Sequence, residues 1–215
     1  MMRVTVIVAT YGAREWALRG AETAKSVQGA SQVIALHLDT GTLAQARNAA
    51  AVGATSEWLC FLDADDRLDA DFVQSMQVAW ALLQPAASEP LIAPQLLVPS
   101  VSFVTGDRCS PPVIPAWDRN VYDVNCAVIG TLIPRALFDR VRGFGEWDAY
   151  EDWELWLRCI THGARLFPVP PAIYCARAED GTGRNTAADH SETYRRIRDL
   201  YATVPAAVWR EAKAR

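Results

Sequence analysis

Residues Trp58-Leu-Cys-Phe-Leu-Asp-Ala-Asp-Asp-Arg-Leu-Asp-Ala-Asp71 decide how the chain is read. Leu59 to Leu62 is a short apolar run, the pattern of a strand buried on both faces. It ends abruptly at Asp63, Asp65 and Asp66. Five of the fifteen aspartates fall between positions 63 and 71, so acidity is concentrated here rather than spread over a surface. Carboxylates at the carboxyl end of a buried strand stand where open α/β sheets bind ligands. Asp63 and Asp65 are two residues apart, and both can turn toward one ion as the chain leaves the sheet. Hard oxygen ligands suit Mg2+ or Mn2+, which bind through one or two carboxylates together with substrate phosphates. The stretch therefore reads as a metal–diphosphate site. The plainer alternative is an acidic loop whose Asp69 or Asp71 caps the next helix.

The flanking sequence supplies a frame for that strand. Val4 to Ala9 is apolar and β-branched and predicts a first central strand, followed by a helix from about Ala13 to Val27. Val33 to Leu38 predicts a second strand, and Leu43 to Val52 a helix with Thr42 as N-cap and Gly53 near its C-cap. Asp71 to Leu83 predicts a helix with Phe72, Met76, Ala79 and Leu83 on one face. Strand, helix, strand, helix, strand is the order of a parallel sheet with covering helices.

Beyond residue 84 the pattern loosens. Gln84 to Pro115 holds seven prolines and the apolar segment Leu91 to Val104, which reads as an irregular strand pair with a mobile loop around Thr105–Pro112. Val124 to Ile133 reads as another buried strand, and Pro134 starts a short helix through Val141. Arg142 to Gly145 is a turn, and Glu151 to Ile160 a helix with Trp153, Trp156, Leu157 and Ile160 on one buried face. Ala164–Pro168 and Ile173–Ala176, flanked by prolines, read as short edge strands. Ala178 to Ala188 reads as a loop, and Ser191 to Lys213 as a helical tail interrupted at Pro205.

The bulk numbers exclude several classes. A chain of 215 residues suits one domain, and 51% hydrophobic residues are ample for a core. A net charge of −4 gives no global field toward nucleic acid or an anionic membrane. The basic clusters at Arg195, Arg196 and Arg198 and at Arg210, Lys213 and Arg215 read as solvated helix faces. Five cysteines without paired metal spacing read as reduced core residues, consistent with a cytoplasmic protein. No run approaches the ~20 apolar residues of a membrane span, and the opening Met-Met-Arg-Val is a strand start rather than a signal peptide.

A second acidic constellation, Glu151-Asp152, opens a helix. Acids in a first turn favour the helix dipole, which is explanation enough if they stood alone. Beside a metal candidate they suggest more. Moving a group from a diphosphate donor to a hydroxyl needs a cation for charge developing on the leaving diphosphate. It also needs a carboxylate to take the hydroxyl proton. The chain offers both on separate elements.

At this point a resemblance becomes specific. Val4 to Tyr11, Ala46-Arg47-Asn48-Ala49, Phe61-Leu-Asp-Ala-Asp-Asp66, Gly143-Phe-Gly145 and Glu151-Asp-Trp-Glu-Leu-Trp-Leu-Arg158 stand in the order found in GT-A glycosyltransferases, chiefly of the inverting family 2 type. The chain resembles that family over roughly residues 4 to 177. The resemblance implies a Rossmann-like α/β fold, a three-layer α/β/α arrangement with a mostly parallel central sheet. It implies one domain over residues 1–215, with a nucleotide-sugar half (1–84), an acceptor half (116–190) and the helical tail (191–215). It implies an enzyme that moves a sugar from a nucleotide-diphosphate sugar to an acceptor hydroxyl, with inversion and with Mn2+ or Mg2+. Thr10, Tyr11, Asp39, Arg47 and Asp63 would bind the nucleotide sugar. Asp65 would hold the metal with Asp63, and His190 is the nearest candidate for a further ligand. Asp152 would be the general base. Glu151 would serve in acceptor binding, and Trp153, Trp117 and Trp147 could offer a sugar platform, with core packing the alternative for each.

Two departures from the family pattern bear on the donor and the metal. Only seven residues separate Asp39 from Arg47, where the family places a further helix and strand. Either Asp39 is the base reader and one unit is lost, or Val33–Leu38 is the later strand and the base reader is missing. The metal-ligating histidine that often follows the segment matching Tyr174–Arg177 is also absent there. Three other readings remain: a retaining transferase on the same fold, a non-catalytic nucleotide- or sugar-binding module, and a nucleotidyltransferase. The last would want a Gly-rich basic loop after the first strand, which Thr10-Tyr11-Gly12-Ala13 is not.

Overall fold

The computed structural model describes residues 2–83, 93–178 and 190–213. Its elements are β1 (Val4–Tyr11), α1 (Arg14–Ser26), β2 (Gln32–Leu38), α2 (Leu43–Val52), β3 (Trp58–Leu62), β4 (Arg67–Leu68), α3 (Phe72–Leu83), β5 (Gln95–Thr105), β6 (Arg108–Cys109), β7 (Ile133–Pro134), α4 (Arg135–Arg140), α5 (Glu151–Thr161), β8 (Arg165–Arg177), α6 (Ser191–Leu200) and α7 (Ala206–Arg210). No helix among the described residues is long and apolar enough to cross a membrane.

The first sheet runs β2-β1-β3-β7, with β1 parallel to both β2 and β3 and only the short β7 antiparallel. The apolar runs dictate this: β3 is buried at all five positions, as a strand with elements on both faces must be. Tyr11 pairs with Leu38 and Val8 with Leu62, so Tyr11, Asp39 and Asp63 emerge along one edge of the sheet. β2 is the immediate parallel neighbour of β1. α2 starts at the expected cap: Thr42 Oγ1 accepts from Gln45 N at 3.2 Å, and the Gln45 side chain accepts from Thr42 N, closing a capping box.

The second sheet runs β4-β8-β5-β6 and departs from two expectations. The expected short edge strands are one strand, β8, of thirteen residues, and it is interior: β5 lies parallel on one side and β4 antiparallel on the other. The prolines did not confine it to an edge because the ladder is broken where they stand. Pro99 pairs with Val169 and Ser100 with Ile173, so Pro170 and Pro171 bulge out of the pairing. Leu91–Val104 holds one long strand, β5, which returns through a tight hairpin to β6 where a mobile loop was expected.

Val124–Ile133 was expected to be a buried strand and is not one. It is buried in part but runs as turns, with only Ile133 entering β7. Asn125 Oδ1 accepts from Ala127 N at 3.2 Å, a local bond that competes with a ladder. Gly130 lies so close to the Tyr174 ring that a Cβ there would stand 2.3 Å from Tyr174 Cδ2. Only its last residues pair with strands: Leu132 bridges antiparallel to Leu97 of β5 and Ile133 pairs with Leu59 of β3.

The tail is two helices, α6 and α7, parted at Pro205 as expected. It docks on α5: Trp153 stacks on Tyr194 at 5.1 Å and 16°, and the Tyr201 hydroxyl donates to Glu154 Oε1 at 2.6 Å. Among its basic residues Arg195, Arg196 and Arg210 are exposed as expected, while Arg198 is half-buried and Lys213 is tied down. Arg198 pairs with Asp123 at 3.0 Å, Arg196 lies over the Trp147 ring, and the Lys213 ammonium donates to the carbonyls of Ala116, Trp117 and Arg119. All five cysteines are free; four are buried as expected, while Cys109 on β6 is exposed. The loop expected over Ala178–Ala188 lies outside the described residues except for Ala178.

Candidate active site

The acidic stretch leaves the first sheet at the carboxyl end of β3. Leaving β3, Asp63 is half-buried, Asp65 exposed and Asp66 half-buried. The loop between them is pinned from two sides. Thr23 Oγ1 on α1 donates to Ala64 O at 2.6 Å. On the other side the Tyr174 hydroxyl donates to Asp66 Oδ2 at 2.6 Å and accepts from Asp63 N at 3.3 Å. Arg177 N donates to Asp66 Oδ1 at 2.7 Å, so Asp66 fixes the loop to β8. Burial, then the charge of Asp63, pushes the Asp66 carboxyl up to about 7 despite those bonds. Asp65 is also raised, by desolvation and then by Asp63. The charge of Asp63 raises both neighbours, a crowding that a cation would relieve.

Arg47 joins this loop to the second constellation. It is 3% exposed, and its two terminal nitrogens diverge, Nη2 to Asp63 Oδ1 at 2.5 Å and Nη1 to Glu151 Oε1 at 2.7 Å. Burial pulls the guanidinium down, and the two carboxylates outweigh it, so its pKa stands above the usual arginine value. The neighbouring Asn48 clamps the Gly-Phe-Gly turn, donating from Nδ2 to Phe144 O at 2.9 Å and accepting from Phe144 N at 2.8 Å. Gly143, at φ +68°, could carry no Cβ, which would meet Asn48 Oδ1 at 2.3 Å. One turn of α2 thus ties the sheet edge to the approach of α5.

Asp152, the second residue of α5, is half-buried. Its Oδ2 accepts from Asn125 Nδ2 at 3.0 Å and its Oδ1 from Trp153 N at 2.7 Å. Burial, then the charge of Glu151, pushes the Asp152 carboxyl up to about 7 against the pull of Trp153 N–H, Arg47 and Asn125. Asp152 opens on a recess of about 190 Å3 shared with Val101, Phe103, Asn125 and Ala176. A larger concavity of about 700 Å3 lies beside Trp58 and Arg135, at the opposite end of β3 from the aspartates, and holds none of these groups.

The other expected residues divide. Tyr11 and Asp39 lie at the sheet edge, and the Asp39 carboxylate is fully exposed, 3.8 Å from His37 Nε2. Thr10 is 5% exposed and its hydroxyl meets His37 Nδ1 at 2.9 Å. Trp153 is corrected: it is 1% exposed, its indole N–H donates to Val121 O at 2.8 Å, and Tyr194 covers its face, so it packs the core and offers no platform. Trp117 is half-buried under the Lys213 ammonium. His190 precedes α6, near the Tyr150 ring, and no group of three or more His, Cys, Asp or Glu suited to a metal forms among the described residues. A hard cation that completes its shell with diphosphate oxygens needs only one or two carboxylates, so Asp63 and Asp65 fit such an ion without a third protein ligand.

Sequence reasoning missed Asn125, which read as part of a strand, and Tyr174, which read as an edge position. It quoted Asp66 and gave it no role. The polar residue inside the Val124–Ile133 run was the one available signal for Asn125.

Through Arg47 the structure joins an acidic loop at the carboxyl end of β3 to a carboxylate pair at the start of α5. Residues 6–83 match the model of Glycosyl transferase family 2, and the chain has a GT-A fold. Among solved structures it is similar to S. aureus TarS 1-349 in complex with UDP-GlcNAc, with TM-score 0.64 and 17% identity over 94% of this chain and 66% of that one. It is also similar to S. aureus TarS 1-349 in complex with UDP, with TM-score 0.55 and 14% identity over 93% of this chain and 65% of that one. A longer S. aureus TarS chain, of which this chain spans 37%, gives TM-score 0.55 at 14% identity. The chain therefore spans less than two thirds of these proteins. Comparison with curated protein sequences returns no match.

Proposed function

We propose that the chain transfers a sugar from a nucleotide-diphosphate sugar to an acceptor hydroxyl with inversion, and that UDP is the nucleotide to test first, given the UDP complexes of TarS. The observation that carries this reading is the Arg47 bridge, which brings Asp63 and Glu151 onto one guanidinium, Glu151 lying 104 residues from Arg47 in sequence. Donor-side and acceptor-side acids are thereby parts of one site. Residues 1–84 form the nucleotide-sugar half, with Tyr11 and Asp39 at the base and ribose. Residues 116–190 form the acceptor half, and the tail braces α5.

Asp65, with Asp63, would hold Mn2+ or Mg2+, which when bound supplies positive charge to the leaving diphosphate. Asp152 takes the acceptor hydroxyl proton while the hydroxyl oxygen bonds to the anomeric carbon. The bond from that carbon to the diphosphate oxygen breaks, and its electron pair leaves with the nucleoside diphosphate. A carboxylate raised to about 7 is a stronger base than an ordinary aspartate and is still ionised at neutral pH in useful amount. Asn125 and the Trp153 N–H fix its orientation. Arg47 acts through the two carboxylates it holds, since both its terminal nitrogens are engaged.

The test is a thermal-shift panel of UDP, GDP, CDP, dTDP and ADP, each with and without Mn2+, on wild type and Asp65→Ala. One nucleotide stabilising only with metal, and only in wild type, is the expected result. No response to any nucleotide would overturn the reading and favour a module that does not use this donor. The anomeric configuration of the product separates inversion from retention.

A further inference from the structure

We infer that Arg19, on α1, is a donor-binding residue whose guanidinium grips the diphosphate of the nucleotide sugar beside the acidic loop. The inference rests on the proposed transferase reading and adds a residue from an element that neither acidic constellation includes. Two close approaches set α1 against the donor end of the sheet. Gly20 packs on β1, where a Cβ would stand 3.1 Å from Thr10 Cγ2. Thr23 Oγ1 donates at 2.6 Å to the carbonyl of Ala64, the residue between Asp63 and Asp65. Arg19 precedes Gly20 and lies one turn before Thr23, so it shares the helix face that looks onto the loop. Helical side chains lean toward the amino end of their helix. α1 opens at Arg14, just past the end of β1 at Tyr11, so that lean carries Arg19 toward the edge where Tyr11, Asp39 and Asp63 emerge.

The side chain is held without being used up. Its Cζ stands 5.1 Å from the centroid of the Trp16 ring, one turn earlier on the same helix. A guanidinium stacked by its face keeps its N–H groups at the edge, and that planar fork matches phosphate oxygens. Arg19 is exposed and forms no salt bridge among the described residues. Its charge, like that of Arg177, already reaches the Asp65 carboxylate.

Charge gives the reason for a cation here. Asp63, Asp65 and Asp66 are three carboxylates in four residues. Arg47 is shared with Glu151, so it does not neutralise the loop further. A divalent ion offsets two of the three formal charges and leaves the loop anionic. A diphosphate is anionic as well, and its approach is favoured only if another cation faces it. Arg19 stands on the α1 side of the loop with donors to spare. A lysine at this position would restore the charge and not the fork.

The experiment is calorimetric titration of the full chain with UDP and with UMP, each in Mn2+, on wild type, Arg19→Met and Arg19→Lys. GDP and GMP replace them if the nucleotide panel selects guanine. Arg19→Met should weaken UDP at least tenfold and UMP less, so that the preference for the diphosphate collapses, and Arg19→Lys should recover part of it. The melting temperature without ligand should not move, since Arg19 is exposed. Mn2+ alone, followed by electron paramagnetic resonance, should bind Arg19→Met no more weakly than wild type, because a cation beside Asp65 has gone. Undiminished UDP binding in Arg19→Met, equal losses for UDP and UMP, or weaker binding of Mn2+ alone would each overturn the inference. If wild type binds UDP and Arg19→Met matches it, this inference falls alone. If wild type binds no nucleoside diphosphate, the transferase reading falls with it.

Discussion

Asp65 and Asp152 are the same residue in two settings. Asp65 stands exposed on a loop among other carboxylates, open to solvent and to an ion. Asp152 stands half-buried at a helix start, with both oxygens hydrogen-bonded and an apolar recess before it. Burial and a neighbouring carboxylate raise both carboxyls, Asp63 beside Asp65 and Glu151 beside Asp152. Arg47 holds those two neighbours, Asp63 and Glu151, on one guanidinium.

The comparison breaks first at Asp152. Asp152→Asn should cut transfer by about 10²–10⁴-fold, the usual worth of a positioned base. Its melting temperature at pH 8 should hold or rise, because a desolvated carboxylate is removed. Full transfer activity in this variant would sink the assignment. Arg47→Met comes next. Leaving Asp63 and Glu151 facing each other without their shared cation should cost about 3–5 kcal/mol in urea unfolding, with part regained in Arg47→Met combined with Glu151→Gln. A loss below about 1 kcal/mol, that of an exposed pair, would mean that the bridge is not what joins the two sites.

Asp65→Ala sharpens the other side. At a nucleotide concentration 100 times its Kd, binding should stabilise wild type by about 2.7 kcal/mol, and the metal-dependent part of that shift should vanish in the variant. The unliganded stability should not change, since Asp65 is exposed. The smallest effect is in pH. The Asp152 carboxyl is raised, so its protonated form is favoured in the fold and the base is lost as pH falls through about 7. Initial rates should drop about tenfold per unit below that value. The stability linked to the neutral carboxyl runs the opposite way, present at low pH and lost as pH rises through about 7. A wild-type acid limb that persists unchanged in a partly active Asp152→Glu variant would point to another titrating group.

Much of this site was legible because its parts are local. The five-residue strand before Asp63, the capping box at Thr42 and the acidic opening of α5 each carry a periodic or short-range signal. The failures share a cause. Val124–Ile133 is largely apolar and in part buried, which a strand would also be, yet it turns at Asn125, passes under the ring of Tyr174 at Gly130 and pairs only at Leu132 and Ile133. Prolines 170 and 171 marked an edge by local rule, while the bulge that accommodates them lets β8 run through the interior of the sheet. Trp153 had the residue type of a sugar platform and the spacing of a core residue, and the docked tail decided for the core.

The sequence by itself determined the alternation of strands and helices, the acidic end of β3 and the acidic start of α5, because backbone periodicity and capping act over a few residues. Only the tertiary structure decided that Arg47 joins those two acids and that Asn125 bonds Asp152. Those facts depend on which side chains meet across a hundred residues of chain, and burial at that meeting point sets their charge. No local pattern encodes either.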